Sequence, residues 1–193
     1  MKFLMLMLFS LSAFALENGA PAPDFKLEGV SGKPVSLSSF KGKVVVIEWL
    51  NHGCPFVRKH YDSQNMQTLQ RKYTKEGVVW LSVISSAEGK QGFVTPGEGL
   101  ADKTKNQSVA TDVLLDPKGT IGQAYGAKTT PHMFVIAKDG TVAYQGAIDD
   151  KADTDQESVK GARNYVAEAV DALILNKKVT VASTKAYGCS VKY

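Results

Sequence analysis

Only two cysteines occur among the 193 residues, Cys54 and Cys189, beside three histidines and two tryptophans. Position 57, where a Cys-x-x-Cys motif begun by Cys54 would carry its second thiol, holds Val57. Local dithiol exchange is thereby excluded. The few cysteines and histidines spell no compact metal motif. The chain has no uninterrupted apolar run of the ~20 residues that a membrane-spanning helix needs. It also lacks a basic stretch with interleaved aromatics, and its formal charge of +4 is spread along the sequence. Nucleic-acid binding is a poor fit to that distribution. There is no internal repeat and no low-complexity tract.

What is present begins with a short leader. Lys2 supplies a positive start, residues 3–14 an apolar core, and Ala13-Phe14-Ala15 a small-x-small cleavage site. This pattern predicts a secretory signal over residues 1–15, with no lipobox cysteine after it and no stable membrane anchor. The mature chain then begins near Leu16 and is expected in the periplasm or outside the cell. Disulfides persist in such a compartment. Only one intramolecular pairing is available, Cys54 with Cys189. It would close a loop of roughly 135 residues and stabilise the fold by up to ~5 kcal/mol on the chain-entropy model.

About 178 residues remain, enough for one domain with a proper core. Phe25-Lys26-Leu27 and residues 34–37 read as an N-terminal hairpin. The β-branched run 44–50 suits a strand buried on both faces. Phe56, His60, Met66, Leu69 and Tyr73 predict a helix over 55–74, ended by Gly77, with a second buried strand over 78–84. Residues 85–107 form a long polar insertion, expected near the active site, with a short helix around 99–105. A short strand at 113–115 leads through Asp116-Pro117-Lys118-Gly119 into a helix ending at Tyr125. A strand over 129–136, an Asp139-Gly140 turn and a return strand over 142–147 make a hairpin. An amphipathic helix spans 159–175, and a tail follows with an extended piece at 179–181. The order predicts an α/β domain with a mixed sheet over 16–176 and a tail over 177–193 carrying Cys189.

Cys54 lies between Gly53 and Pro55 where the strand gives way to the helix. A thiolate there gains from unpaired backbone N–H groups and the positive end of the helix dipole. A core cysteine filling space is the competing reading. With no neighbouring thiol, Cys54 needs Cys189 or an external thiol to resolve a mixed disulfide or sulfenic acid. Gly188 lends the exposed-looking tail freedom to swing toward the helix start; a static Cys54–Cys189 staple is the alternative. Thr130-Pro131 suggests a cis peptide beside the thiol, or else an edge-strand proline. His52 and His132 are placed to approach the thiol as bases or cations. With the two cysteines they could instead form a copper or zinc site. His60 reads as a packing or surface residue, and Arg58 and Lys59 as solvated helix charges. Glu48, inside an apolar strand, is costly unless paired, which suggests either proton handling or a partner such as water or lysine. Asp149-Asp150 reads as a solvated acidic turn.

Several segments together resemble one family: Glu48-Trp49 through Cys54-Pro55-Phe56-Val57, Ser85-Ser86-Ala87, Tyr125 through Met133, Gly146 through Asp150, and Tyr187-Gly188-Cys189-Ser190-Val191-Lys192-Tyr193. The chain looks like the thioredoxin-fold redoxins of the alkyl hydroperoxide reductase/thiol-specific antioxidant type, in their peroxiredoxin-like branch. The resemblance implies a thioredoxin-like fold, with a mixed central sheet flanked by helices, an N-terminal β-hairpin extension and a C-terminal tail. It puts Cys54 at the nucleophilic position and makes Pro131 the cis-proline. One departure is that the peroxiredoxin pattern Pro-x-x-x-Thr/Ser-x-x-Cys finds Ile47 and Asn51 at its first two places. Membrane-tethered thioredoxin-like reductases share the strand order but use the cysteine that Val57 replaces. The expectation is therefore an exported thiol oxidoreductase that needs no cofactor. Cys54 attacks a protein disulfide or a peroxide, Cys189 resolves the product, and an external thiol reductant closes the cycle. Asn51, His52, Thr130, Pro131 and His132 are expected to position the substrate. The alternatives are the metal-binding module and a non-catalytic domain with a structural disulfide.

Overall fold

Strands β3 (Val45–Trp49) and β4 (Val79–Ile84) are buried along their whole length and run parallel, with Val45 opposite Val79 and Trp49 opposite Val83. Their β-branched and aromatic side chains pack on both faces, as a central parallel pair requires. The computed structural model describes residues 16–193. The leader predicted over 1–15 lies outside the described residues. Among them no helix is long and apolar enough to cross a membrane.

Around the central pair, β5 (Asp112–Leu115) lies parallel to β4, and β7 (His132–Ile136) lies antiparallel to β3. The hairpin β1 (Lys26–Gly29) and β2 (Pro34–Ser36) extends the β5 edge, and β8 (Val142–Gly146) extends the β7 edge. The seven-stranded order is β2-β1-β5-β4-β3-β7-β8. Helices flank both faces, so the α/β architecture with a mixed sheet and an N-terminal hairpin is that of the thioredoxin-like fold.

Alternation along β3 sorts the core into two layers. Val45, Ile47 and Trp49 meet Leu81, Tyr125 and Phe134 on one side. Val46 and Leu50 meet Val57, Tyr61, Met66, Trp80, Val166 and Val170 on the other. Cys54 belongs to this second layer.

The helix predicted over 55–74 is two helices, α1 (Pro55–Asp62) and α2 (Asn65–Lys75). Gln64 between them takes the left-handed conformation (φ 61°), which stops one helix and redirects the chain. In the insertion, α3 (Pro96–Lys105) starts earlier than expected because Thr95 and Glu98 form a reciprocal capping box. Helix α4 (Thr120–Tyr125) follows its turn as read. Helix α5 (Tyr165–Ile174) begins later than 159. Gly161 takes a positive φ of 77°, and the Asn164 side chain accepts the Ala167 N–H at 2.8 Å.

Pro131 divides the strand expected over 129–136. Having no N–H to give, it leaves β6 (Thr129–Thr130) separate from β7. Strand β6 pairs instead with β9 (Cys189–Ser190). No strand forms at 179–181, and the tail does not swing free. Its backbone is tied by Gln145 N to Ala182 O (3.1 Å), Val191 N to Lys128 O (3.1 Å) and Ala87 N to Lys192 O (2.8 Å). The Tyr193 hydroxyl closes the end on Ala127 O at 2.7 Å.

Candidate active site

The turn that presents Cys54 is shaped by Asn51. Its carbonyl accepts the Cys54 N–H at 2.9 Å, and its side-chain Oδ1 accepts the Gly53 N–H at 2.8 Å. Asn51 Nδ2 donates to Gln91 O at 3.3 Å, which brings the 85–95 segment of the insertion against the site. Cys54 is the N-cap of α1, and Pro55 sits in the first turn, where its missing N–H costs nothing. Val57, at the place of a second thiol, is wholly buried in the core.

Strand pairing of Thr130 with Cys189 delivers the second thiol. Both cysteines are free, and their sulfurs lie 2.6 Å apart although 135 residues separate them in sequence. The Cys54 thiol also donates to Thr130 O at 3.0 Å. The Thr130–Pro131 peptide is cis. Gly188 crosses directly over this peptide with φ +135°, and a Cβ there would collide with the Thr130 carbonyl group. Only glycine lets the tail lie so close.

The two thiols are electrostatically unlike. Burial is the largest single influence on Cys54 and works against its ionisation, but the hydrogen bonds together, led by that from the Cys189 thiol, outweigh it. The Val57 and Cys189 N–H groups and the Thr130 hydroxyl assist, and the Cys54 thiol falls below its ordinary value. Val57 N–H makes no full capping bond to the sulfur but is close enough to favour the thiolate. The Thr130 hydroxyl is buried without a conventional partner. Cys189 goes the other way: burial, then its hydrogen bond and charge interaction with Cys54, push it up to about 11. Cys54 is thus the more acidic thiol of the pair and Cys189 the less acidic one.

The other expected site residues scatter. Asn51 holds the turn rather than facing an open site. His52 packs edge-on against Tyr61 at 4.9 Å, and its Nδ1 is buried without a partner. His132 accepts the Lys128 N–H on Nδ1 at 3.3 Å and stacks near Phe134 at 4.6 Å, on the sheet face opposite the Cys54 layer. Neither ring bonds the thiols. Among the described residues no group of three His, Cys, Asp or Glu side chains could hold a metal ion, so the copper or zinc reading has no ligand set.

Lys59 and Asp149, read as solvated groups, are buried, and so is His60, which takes the packing side of its reading. Lys59 donates to Lys151 O at 2.6 Å and reaches Asp153 Oδ1 at 3.3 Å. His60 and Asp149 lie beneath the tail, both within reach of the Tyr187 hydroxyl. Glu48 is fully buried and meets no lysine. It accepts from Trp80 Nε1 and Ser82 Oγ, each at 3.0 Å, from Tyr61 OH at 3.1 Å and from Gln70 Nε2 at 3.5 Å. Burial raises it to about 6 against these donors.

Buried neutral histidines give the fold an acid sensitivity. Burial, then the Lys128 charge, pulls His132 down to about 4. Its folded value lies below the ordinary ~6.5, so its contribution is intact above that pH and is lost as pH falls toward 4. We expect His132→Asn to flatten the loss of thermal stability between pH 7 and 4, by up to ~3 kcal/mol. Thermal melts with the wild-type slope would contradict this.

A family model described as Redoxin matches residues 17–163. The chain belongs to the Redoxin family. Among curated relatives, thiol-disulfide oxidoreductase ResA of Bacillus thuringiensis is 30% identical over 129 residues, covering 66% of this chain and 68% of that protein. A solved structure of a putative thiol:disulfide interchange protein DsbE from Chlorobium tepidum is 29% identical with a TM-score of 0.57, covering 81% of this chain and 99% of that one. An uncharacterized conserved protein from Geobacillus kaustophilus superposes with a TM-score of 0.78 at 24% identity, over 92% of this chain and 93% of its own, and shares the fold. The relatives so named are thiol-disulfide oxidoreductases, so the resemblance holds at the level of thioredoxin-like redoxins, not specifically the peroxiredoxin branch. The redoxin match ends before the tail, and Cys189 lies beyond it.

Proposed function

We propose that this redoxin is an exported thiol–disulfide oxidoreductase in which Cys54 is the nucleophile and Cys189 the resolving thiol. The observation that carries the reading is the meeting of the two sulfurs at 2.6 Å with opposite shifts in acidity. The Cys54 thiolate attacks one sulfur of a substrate disulfide; a Cys54–substrate bond forms, and the other substrate sulfur leaves as a thiolate. Cys189 then attacks the Cys54 sulfur. The mixed disulfide breaks, the Cys54–Cys189 bond forms, and the Cys189 proton goes to the departing substrate thiolate. Two electrons from an external dithiol carrier return both cysteines to thiols.

The names of the relatives, thiol-disulfide oxidoreductase and thiol:disulfide interchange protein, support disulfide chemistry, and a protein disulfide is the substrate proposed here. Peroxide reduction is favoured by a different observation, the buried Thr130 hydroxyl without a conventional partner beside the sulfur. In that case the thiolate takes one peroxide oxygen as a sulfenic acid, the rest leaves as an alcohol or water, and Cys189 displaces water to form the same disulfide. Reduced protein mixed with oxidised glutathione or hydrogen peroxide separates the two. The primary reading expects a fast Cys54–Cys189 disulfide with the first reagent, seen by mass spectrometry without reductant. Cysteines that stay reduced in both reagents would end the proposal.

A further inference from the structure

The helix that begins at Cys54 also grips the tail that carries Cys189. Tyr187 lies two residues before Cys189. Its ring packs against Phe56 (5.8 Å) and under Lys59 Nζ (5.7 Å), and its hydroxyl lies 3.1 Å from His60 Nε2 and 2.5 Å from Asp149 Oδ1. The directions of these bonds follow from one another. Asn65 Nδ2 approaches His60 Nδ1 at 2.9 Å. An amide nitrogen can only donate, so Nδ1 accepts and the ring proton sits on Nε2. Nε2–H therefore donates to the Tyr187 oxygen, and the Tyr187 hydroxyl donates to Asp149 Oδ1. Asp149 Oδ1 also accepts the Lys151 N–H at 2.9 Å, while Oδ2 is buried without a partner.

Strand β9 is only two residues long and pairs only with Thr129 and Thr130. Upstream, the next firm hold on the tail is Thr184, whose Oγ1 lies 2.6 Å from the Tyr144 hydroxyl. Val191, Lys192 and Tyr193 hold the tail downstream of Cys189, so losing Tyr187 loosens the upstream approach to the thiol, between Thr184 and Cys189. We propose that Tyr187 is a positioning residue, held through Asp149 and His60, which keeps the reduced tail in the register where Cys189 meets Cys54. This rests on the proposed thiol–disulfide cycle. It adds that the resolving thiol is docked before oxidation, at a high effective concentration set by a side chain that touches neither sulfur's chemistry.

The test is the equilibrium in which two protein thiols and one oxidised glutathione give the protein disulfide and two reduced glutathiones. Tyr187→Phe keeps the ring but loses both hydroxyl bonds. It is expected to lower the equilibrium constant about tenfold, which corresponds to ~30 mV. Asp149→Asn retains the Oδ1 acceptor for the Tyr187 hydroxyl and the Lys151 N–H, so it should stay within about twofold of wild type. Asp149→Ala should behave as Tyr187→Phe does, and it replaces that variant if the phenylalanine protein does not fold. Unchanged equilibrium constants in Tyr187→Phe and Asp149→Ala, with only thermal stability reduced, would overturn the positioning role and leave the parent reading intact. A wild-type protein that forms no Cys54–Cys189 disulfide would overturn both.

Discussion

Cys54→Ser is expected to lower turnover of a disulfide or peroxide at least ~1000-fold, as removal of a nucleophile does, because Cys189 has no helix-start N–H groups to favour its thiolate even once the raising influence of Cys54 is gone. Two features put the whole reaction on Cys54. It lies at the start of α1, where backbone N–H groups favour its thiolate, and its hydrogen bonds outweigh burial. Cys189 is raised to about 11, so only a small fraction is thiolate near neutrality, and the thiolate is the attacking species. Cys189→Ser should fail differently. Cys54 still reacts, but the cycle stops after one equivalent, with the mixed disulfide or sulfenic acid trapped on Cys54. Intact-mass measurement of each variant after one equivalent of oxidised glutathione reads this contrast. A Cys54→Ser protein whose Cys189 forms the glutathione adduct at the wild-type rate would reverse the assignment.

Glu48→Ala should cost ~3–5 kcal/mol, because it strips the acceptor from a set of buried donors. Trp80 Nε1, Ser82 Oγ and Gln70 Nε2 all point at Glu48 Oε2, and Tyr61 OH bonds both carboxylate oxygens. Glu48→Gln retains an acceptor for Trp80 and Ser82 and should cost less than ~1 kcal/mol near pH 5. Its pH dependence has a definite sign. The folded carboxyl is raised to about 6 from an ordinary 4.5, so its stabilising contribution is complete below about 4.5 and is lost as pH rises through about 6. Glutamine carries no such titration. The variant should therefore gain on wild type between pH 4 and 8, by up to ~2 kcal/mol. Denaturant unfolding at the two pH values measures it, and a parallel pair of curves would show that Glu48 titrates alike in the folded and unfolded chains.

The sheet was legible because its signals are local. The β-branched runs at β3 and β4 and the Asp139-Gly140 turn announce themselves within a few residues, and so does the Gly53-Cys54-Pro55 junction. Glu48 also stood out, since a carboxylate inside an apolar strand breaks the pattern. The Thr95/Glu98 capping box, which marks the true start of α3, was passed over in placing that helix around 99–105, although its Thr-x-x-Glu spacing is local. Lys59 and Asp149 were not legible as buried groups, and for His60 packing and surface stayed equally open. Their burial depends on partners far away in sequence: Tyr187 is 127 residues from His60, and Asp153 is 94 from Lys59. A polar residue looks solvated until such a partner is known. Strand β9 was hidden for another reason, since two residues are too few to show a period. The histidines misled by proximity in sequence: His52 and His132 flank the site along the chain, yet one packs on Tyr61 and the other faces the opposite core layer.

The central claim is that Cys54 attacks and Cys189 resolves, and the order in which the two thiols ionise tests it most directly. Reduced protein would be alkylated briefly across pH 5 to 11 and the modification of each cysteine quantified by peptide mass spectrometry. The account predicts that Cys54 reacts with a midpoint below the ordinary thiol value and that Cys189 becomes reactive only toward about 11. Cys189 labelling at lower pH than Cys54 would contradict it.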